Sequence, residues 1–332
     1  MNKLTKLGAS ALCGSLAAIA SANAGDMSVT GGVDMSWVSL EDSTTGNPIG
    51  IGSNLNFNGT GELDNGWTVA YWVGTNNAMN YSAANVTVTI PAIGDLRISQ
   101  GVSGSGIDRI DDITPNVWEE AYATGLGTGI NTVAGVSGAA NIEWTPNMLP
   151  EGLGARISYT PDADGSKSAD KGTSGDDANL KSGGYDVTVS LGESFTGVTG
   201  FTIDAGMSKT EKETDDISEE TIAVTYAVGP VTLGYQWSRE DLGTSSAALQ
   251  YDNKGYGITF NVNDDLSIGY NNYESEQDNA TDVTAEAASL QIAYTMGGAS
   301  IRLAQASIDN AKYQTTTDFD RDATTLSVSL AF

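Results

Sequence analysis

The chain has no histidine and a single cysteine, and both shortages narrow what it can do. Without histidine there is no Ser-His or Cys-His nucleophile pair, no ordinary general base near neutral pH and no histidine zinc site. The one cysteine, Cys13, lies among the first two dozen residues, so residues 25–332 hold no thiol and no disulfide framework. Basic residues are also scarce: Lys and Arg number 15 against 42 Asp and Glu, for a net charge of −27. So acidic a chain does not neutralise phosphates, which argues against nucleic acid as a partner. Nor does residue 25 onward contain an apolar run of the roughly 18–20 residues that a transmembrane helix needs. Carboxylates are plentiful, but solvated loop charge accounts for them more simply than catalysis. The composition does not describe an enzyme.

The first residues read as a leader. Lys3 and Lys6 precede an apolar run from Leu7 to Ala20, and Ala22-Asn23-Ala24 has the small-x-small pattern of a cleavage site. We expect a signal peptide over 1–24 and one domain over 25–332. Leu12 stands before Cys13 where lipid attachment would want a small residue.

What the chain has in abundance is period-two alternation. Tyr256, Ile258, Phe260 and Val262 alternate with Gly257, Thr259 and Asn261, and after Asn263-Asp264-Asp265 the figure repeats through Leu266, Ile268 and Tyr270. Such alternation predicts strands with two chemically different faces. Sixteen stretches show it, near 27–39, 51–62, 66–74, 85–91, 95–102, 140–146, 153–160, 183–191, 200–208, 220–228, 231–238, 255–262, 266–273, 287–296, 299–306 and 322–332. Tight turns at Asp64-Asn65, Ile93-Gly94, Gly229-Pro230, Asn263-Asp265 and Gly297-Gly298 alternate with charged connections over 161–182, 209–219, 239–254, 274–282 and 307–321. An even strand count with short turns at one end and long loops at the other predicts an all-β fold. The expected form is a transmembrane, antiparallel, up-and-down β-barrel.

The two registers fit that reading. The apolar one carries aromatics toward both strand ends, such as Trp37, Tyr159, Tyr256 and Tyr270 at one and Trp144, Tyr226, Tyr294 and Phe332 at the other, as two interfacial belts would. The other register is small and hydroxylated, with Asp34, Glu62, Arg97, Glu143, Arg156, Asp186, Asp204 and Arg302 among its charges. A barrel of sixteen strands is wide enough for water rather than a packed core.

The longest connection, Ser103 to Ala139, has its own pattern. Thr114 can cap a helix begun by Pro115 and stopped by Gly125, and Asp108, Asp111, Asp112, Glu119 and Glu120 surround it. A loop so long is usually functional. We expect it to fold into the lumen, its five acids set against Arg97, Arg156 and Arg302 on the wall. The acid excess predicts a weak preference for cations.

Three segments resemble one family. Ile93-Gly94-Asp95-Leu96-Arg97-Ile98-Ser99-Gln100 is similar to the turn and strand that enter the constriction loop of general-diffusion porins of the Gram-negative outer membrane. Asn141-Ile142-Glu143-Trp144-Thr145-Pro146 is similar to the strand leaving that loop. Leu326 to Phe332, apolar at alternate positions and ending on phenylalanine, resembles the barrel-assembly signal. The resemblance covers essentially all of 25–332. It implies a homotrimer in the outer membrane, contact with lipid and lipopolysaccharide, and recognition of Phe332 by the assembly machinery. Gln100 and Gly101 stand where the family often has a second arginine, and the Pro-Glu-Phe-Gly loop signature is missing. No cofactor is expected beyond loosely bound divalent cations, such as calcium, at the acidic outer loops. Two other readings remain: a solute-specific channel, which would want more lumen aromatics than Trp72 and Tyr273, and a secreted β-rich adhesin or lectin, whose calcium-binding glycine repeats are absent.

Overall fold

The computed structural model describes residues 25–41, 46–77, 79–163, 181–213, 215–243, 248–279 and 281–332; the expected leader and most of 161–182 lie outside them. Sixteen strands follow one another: β1 Met27–Leu40, β2 Ile49–Glu62, β3 Thr68–Thr75, β4 Tyr81–Ile90, β5 Gly94–Gln100, β6 Asn141–Thr145, β7 Leu153–Thr160 and β8 Lys181–Leu191. The second half comprises β9 Phe201–Lys212, β10 Ile217–Val228, β11 Val231–Asp241, β12 Gln250–Asn261, β13 Leu266–Asp278, β14 Val283–Met296, β15 Ala299–Asp309 and β16 Arg321–Ala331. Each pairs antiparallel with its neighbours in sequence, and β1 pairs with β16 from Gly32↔Ala331 to Leu40↔Ala323, so the sheet is a closed barrel. No edge is left for another chain to extend.

All sixteen alternating stretches are strands, but several expected loops are not loops. Over 209–219, β9 and β10 continue to within a few residues of each other; β11 and β12 take both ends of the segment expected as 239–254, and β13 runs through more than half of 274–282. The sequence reading stopped where the outward register turned from apolar to charged. The strand had only left the apolar layer, because Ser208, Thr210 and Glu219 keep the inner register going. Cross-strand pairs such as Lys209 Nζ–Asp216 (2.7 Å) and Arg239 Nε–Asp252 (2.8 Å) accompany the wet extensions.

Burial inverts the usual order. Ile222, Leu233, Ile258, Ile292 and Leu303 are 41–45 % exposed, while Ser158, Asp186, Gln236, Ser238, Asn253 and Gln291 on the other register are fully buried. Exposed apolar surface backed by buried polar groups is the observation that asks for an explanation. An apolar solvent outside supplies one, since each large side chain buried there gains about 1.5–3 kcal/mol. Tyr159 and Tyr185 toward one rim, Tyr256 and Tyr270 nearer the middle of their strands, and Tyr226, Tyr294 and Phe332 toward the other rim are likewise exposed.

The wall is uneven. β8 to β16 run 11–14 residues, whereas β3 has 8, β5 has 7, β6 has 5 and β7 has 8. The 76–80 connection above β3 and β4 is correspondingly short, and its Asn77 turns to accept the Ser53 N–H (2.6 Å).

Candidate functional site

The connection from β5 to β6 packs against the polar register, on the inner side of the wall. Room for it comes from glycines whose Cβ positions point inward. A Cβ on Gly206 of β9 would stand 2.9 Å from Ile110 Cδ1, and one on Gly255 of β12 would stand 2.6 Å from Thr114 Oγ1. At Gly234 of β11 and Gly257 of β12 the approach of Pro115 is closer still, so neither position admits even a methyl group. This inward glycine track, from β9 to Gly269 of β13, is legible in the chain only once the register and the path of the loop are known.

Polar wall side chains hold the loop backbone along its course. Glu143 of β6 accepts the Gly106 N–H (2.8 Å). Asp186 of β8 accepts N–H groups from both legs, Ile107 (3.0 Å) going out and Val136 (3.2 Å) coming back. Glu219 of β10 accepts those of Ala134 (3.0 Å) and Gly135 (2.7 Å). Gln236 of β11 accepts from Ile113 N–H (2.8 Å) and donates to the carbonyls of Ile110 (2.8 Å) and Asp111 (2.9 Å). Gln291 of β14 accepts from Trp118 N–H (3.1 Å), and Thr325 of β16 donates to Thr124 O (2.8 Å). The loop therefore runs from β6 around to β16 and returns, its buried peptide groups satisfied by the wall. Each such bond contributes about 0.5–1.5 kcal/mol net.

That anchoring explains a correction. The helix expected from Pro115 to Gly125 does not form; only short 3-10 turns occur, at Gly106–Ile110 and Ala121–Ala123. A helix capped at Thr114 would need the N–H of residue 118 for the Thr114 carbonyl, and Gln291 Oε1 takes it.

The far end of the loop enters an apolar cluster inside the barrel. Ala121, Leu126 and Ile130 pack with Tyr251, Tyr273, Ala287, Ile308 and Tyr313, and Tyr122 meets Tyr273 edge-on at 4.7 Å between centroids. The 310–320 connection folds over it, with Lys312 N–H on Thr128 O (2.6 Å) and Tyr313 OH on Ser275 Oγ (2.7 Å). Asn310, Lys312 and Tyr313 are all held at positive φ there. More lumen aromatics are thus present than Trp72 and Tyr273 alone, but they build a packed wedge.

The expected site residues fall into three groups. At the loop root, Arg109 makes a two-armed contact with Glu143 (Nε 3.1 Å, Nη2 2.5 Å), and Arg97 reaches the same carboxylate at 3.7 Å and Gly104 O at 3.2 Å. Arg156 neighbours Arg97 and has no ion pair among the described residues. Asp108 accepts the N–H of Gly104 (2.5 Å) and the hydroxyl of Ser137 (2.6 Å), tying the two legs together. Next come Asp111, bonded by Thr132 Oγ1 (2.9 Å), and the exposed Asp112. Burial, helped by Asp112 and Asp108, pushes the Asp111 carboxyl up to about 8. Glu120 is buried with Asn116 bonded to it, and burial raises it to about 7. Glu119 is raised as well, chiefly by burial, and lies within electrostatic reach of Arg302, Asp112 and Asp34. Third, on the seam where β1 meets β16, Arg302 of β15 stands 3.8 Å from Asp34 of β1. Phe332 is exposed outside the barrel, and its backbone exchanges two hydrogen bonds with Gly31 (2.9 and 3.2 Å). Among the described residues no three carboxylates converge as a metal site would require.

Residues 8–313 match the family model of the Gram-negative porins. No curated protein matches the chain. Among solved structures it is similar to OmpF of Salmonella typhi, determined as a complex with daunomycin (TM-score 0.68, 12 % identity, covering 93 % of this chain and 98 % of that one). It is similar also to an anion-selective porin from Comamonas acidovorans (0.68, 15 %, 93 % and 100 %) and to OmpT of Vibrio cholerae (0.63, 12 %, 93 % and 98 %).

Proposed function

Because the chain belongs to the Gram-negative porin family, we propose that it is a passive diffusion channel of the outer membrane for ions and small hydrophilic solutes. The observation that carries this reading is the inverted barrel: apolar side chains outside, polar ones inside, and one long loop narrowing the interior. The wall replaces lipid with water, and residues 101–140 set the largest solute that passes. Residues 1–24 serve as the export leader, and Phe332 as the signal read by the assembly machinery. Purified protein in a planar bilayer gives stepwise, ohmic conductance; a protein that dissolves without detergent and makes no channels would defeat the assignment.

A weak cation preference follows from the loop acids. One charge seen across ~7 Å of water contributes only about 0.6 kcal/mol, so several must act together. Asp108, Asp112 and Glu119 supply loop carboxylates; Asp111 and Glu120, raised by burial to about 8 and about 7, add charge mainly as pH increases. Arg97, Arg156 and Arg302 supply the opposite sign from the wall. Replacing Asp111, Asp112 and Glu119 together by Asn or Gln moves the reversal potential away from cations, and an unmoved potential removes the loop from the selectivity argument.

The working unit is a homotrimer. Strands of 5 and 7 residues, β6 and β5, fall short of the roughly 9–11 that cross a hydrocarbon core, so that sector needs protein rather than lipid beside it. A second and third copy cover it. The taller, apolar sector faces lipid, with lipopolysaccharide and bridging divalent cations at its acidic outer rim.

A further inference from the structure

We infer that Asp34 is a specificity-determining residue of the passage, cancelling the charge of Arg302 so that the narrowing presents carboxylates without an opposing free cation on the seam side. The inference rests on the channel reading above and adds to it a residue outside the loop.

Asp34 is built into its place. Ser327 Oγ donates to Oδ1 (2.5 Å) and Ser329 Oγ to Oδ2 (3.1 Å), both from β16 across the seam. Arg302 Nη1 lies 3.8 Å from Oδ2, and its Nε donates to Ser300 Oγ (3.3 Å). The pair is reachable from the lumen, with side chains 48 % and 26 % exposed. Both line the same cavity of about 840 Å³, where Asn54, Asn76, Ser300 and Ser329 are among their polar neighbours and Arg302 is the only basic side chain among the described residues. Arg302 also borders the adjoining space lined by Asn116 and Val117 of the loop and by Asp264 and Asp265, and it lies within electrostatic reach of Glu119.

The charges on either side follow from these placements. Arg97 and Arg109 share Glu143 at the loop root, about five strands around the ring from the seam, with Arg156 of β7 beside Arg97. With Asp34 as carboxylate the seam pair sums to zero, and Glu119 and Asp112 act on a passing ion with no net charge opposing them from the seam. With Asp34 neutral, Arg302 would face those carboxylates and set up a field across the passage. Asp34 thereby selects small cations and neutral polar solutes over anions, from a position on the wall rather than on the loop.

The experiment is a reversal-potential measurement in planar bilayers under a salt gradient. Asp34→Asn keeps acceptor and donor atoms for the serines and lowers the cation-over-anion permeability ratio about two- to threefold, the effect of one charge across a few ångströms of water. Arg302→Gln raises that ratio by a similar factor, and the double variant returns close to the unaltered protein. A purely structural Asp34 would change thermal stability while leaving the reversal potential where it was. Conducting channels whose potential ignores Asp34→Asn overturn the proposal alone; absence of conductance in the unaltered protein overturns the channel reading beneath it.

Discussion

From β8 to β16 the wall is 11–14 residues tall and its inner face is largely covered by residues 106–136; from β3 to β7 the strands shorten to 5–10 residues, and the loop meets that sector chiefly at its root, where Glu143 of β6 holds Gly106 and Arg109. Covered and open sectors solve the same steric problem with different residues. Where the loop lies on the wall, glycine clears the way and Gln, Asp and Glu reach out to hold its backbone. On the β1–β2 side, Gly52 also points inward, yet a Cβ there would meet nothing nearer than 3.9 Å. Glycine in a strand costs backbone entropy and packing, so its use under the loop reflects a need for space.

The largest effects should come from the outer faces. Ile292→Arg on the tall sector places a charge against hydrocarbon, which costs about 2–4 kcal/mol near the midplane and should block insertion, read as loss of heat-resistant barrel on gels. Ile98→Arg on β5 of the low sector should leave a folded barrel but dissociate the trimer in cross-linking and light scattering. Equal insertion defects in the two variants would erase the distinction between a lipid-facing and a protein-facing sector. Next, Gly257→Ala should dislodge the loop, lowering stability by about 1–3 kcal/mol as overpacking does and altering single-channel conductance. Gly52→Ala should do neither, and matching phenotypes would mean that the glycine track has no special role.

The smallest effect is a pH response confined to the covered sector. Burial, Asp112 and Asp108 place Asp111 near 8, above its ordinary value of 3.8. A carboxyl raised on folding favours the folded state most below the unfolded pKa, and that advantage is lost as pH rises from about 4 to about 8. Asp111 also gains charge over the upper part of that range. Cation preference should therefore rise between pH 6 and pH 9, and Asp111→Asn should flatten the rise while improving thermal stability at pH 8.5. A variant that titrates like the unaltered protein would assign the change to another group.

Much of the barrel is legible in the chain because alternation is a local signal. Each strand announces itself within a few residues, and Gly229-Pro230 or Gly297-Gly298 announce their turns. Strand ends were misread where Glu211, Arg239 and Glu276 made the outward face polar, since the sequence marks the edge of the apolar layer and not the end of the hydrogen-bonded ladder. The Pro115 helix failed for the converse reason: its capping pattern is local, but Gln291, far along the chain, claims the Trp118 N–H. The Asp34–Arg302 pairing spans 268 residues of sequence and depends on the seam register, which no short window contains. Loop acids and wall arginines were recognisable as types; their partners were not.

The pairing of the first strand with the last has a bearing on how such a chain is made. Until β16 arrives, β1 to β15 form at most an open sheet with two long raw margins, and the joining contacts, Gly32 with Ala331 among them, are almost as far apart in sequence as two residues of this domain can be. Ring closure over that distance is slow and leaves sticky strands on show while it waits. Protecting those margins until the last strand docks is therefore a demand that topology makes of the chain, whatever cargo the finished pore goes on to admit.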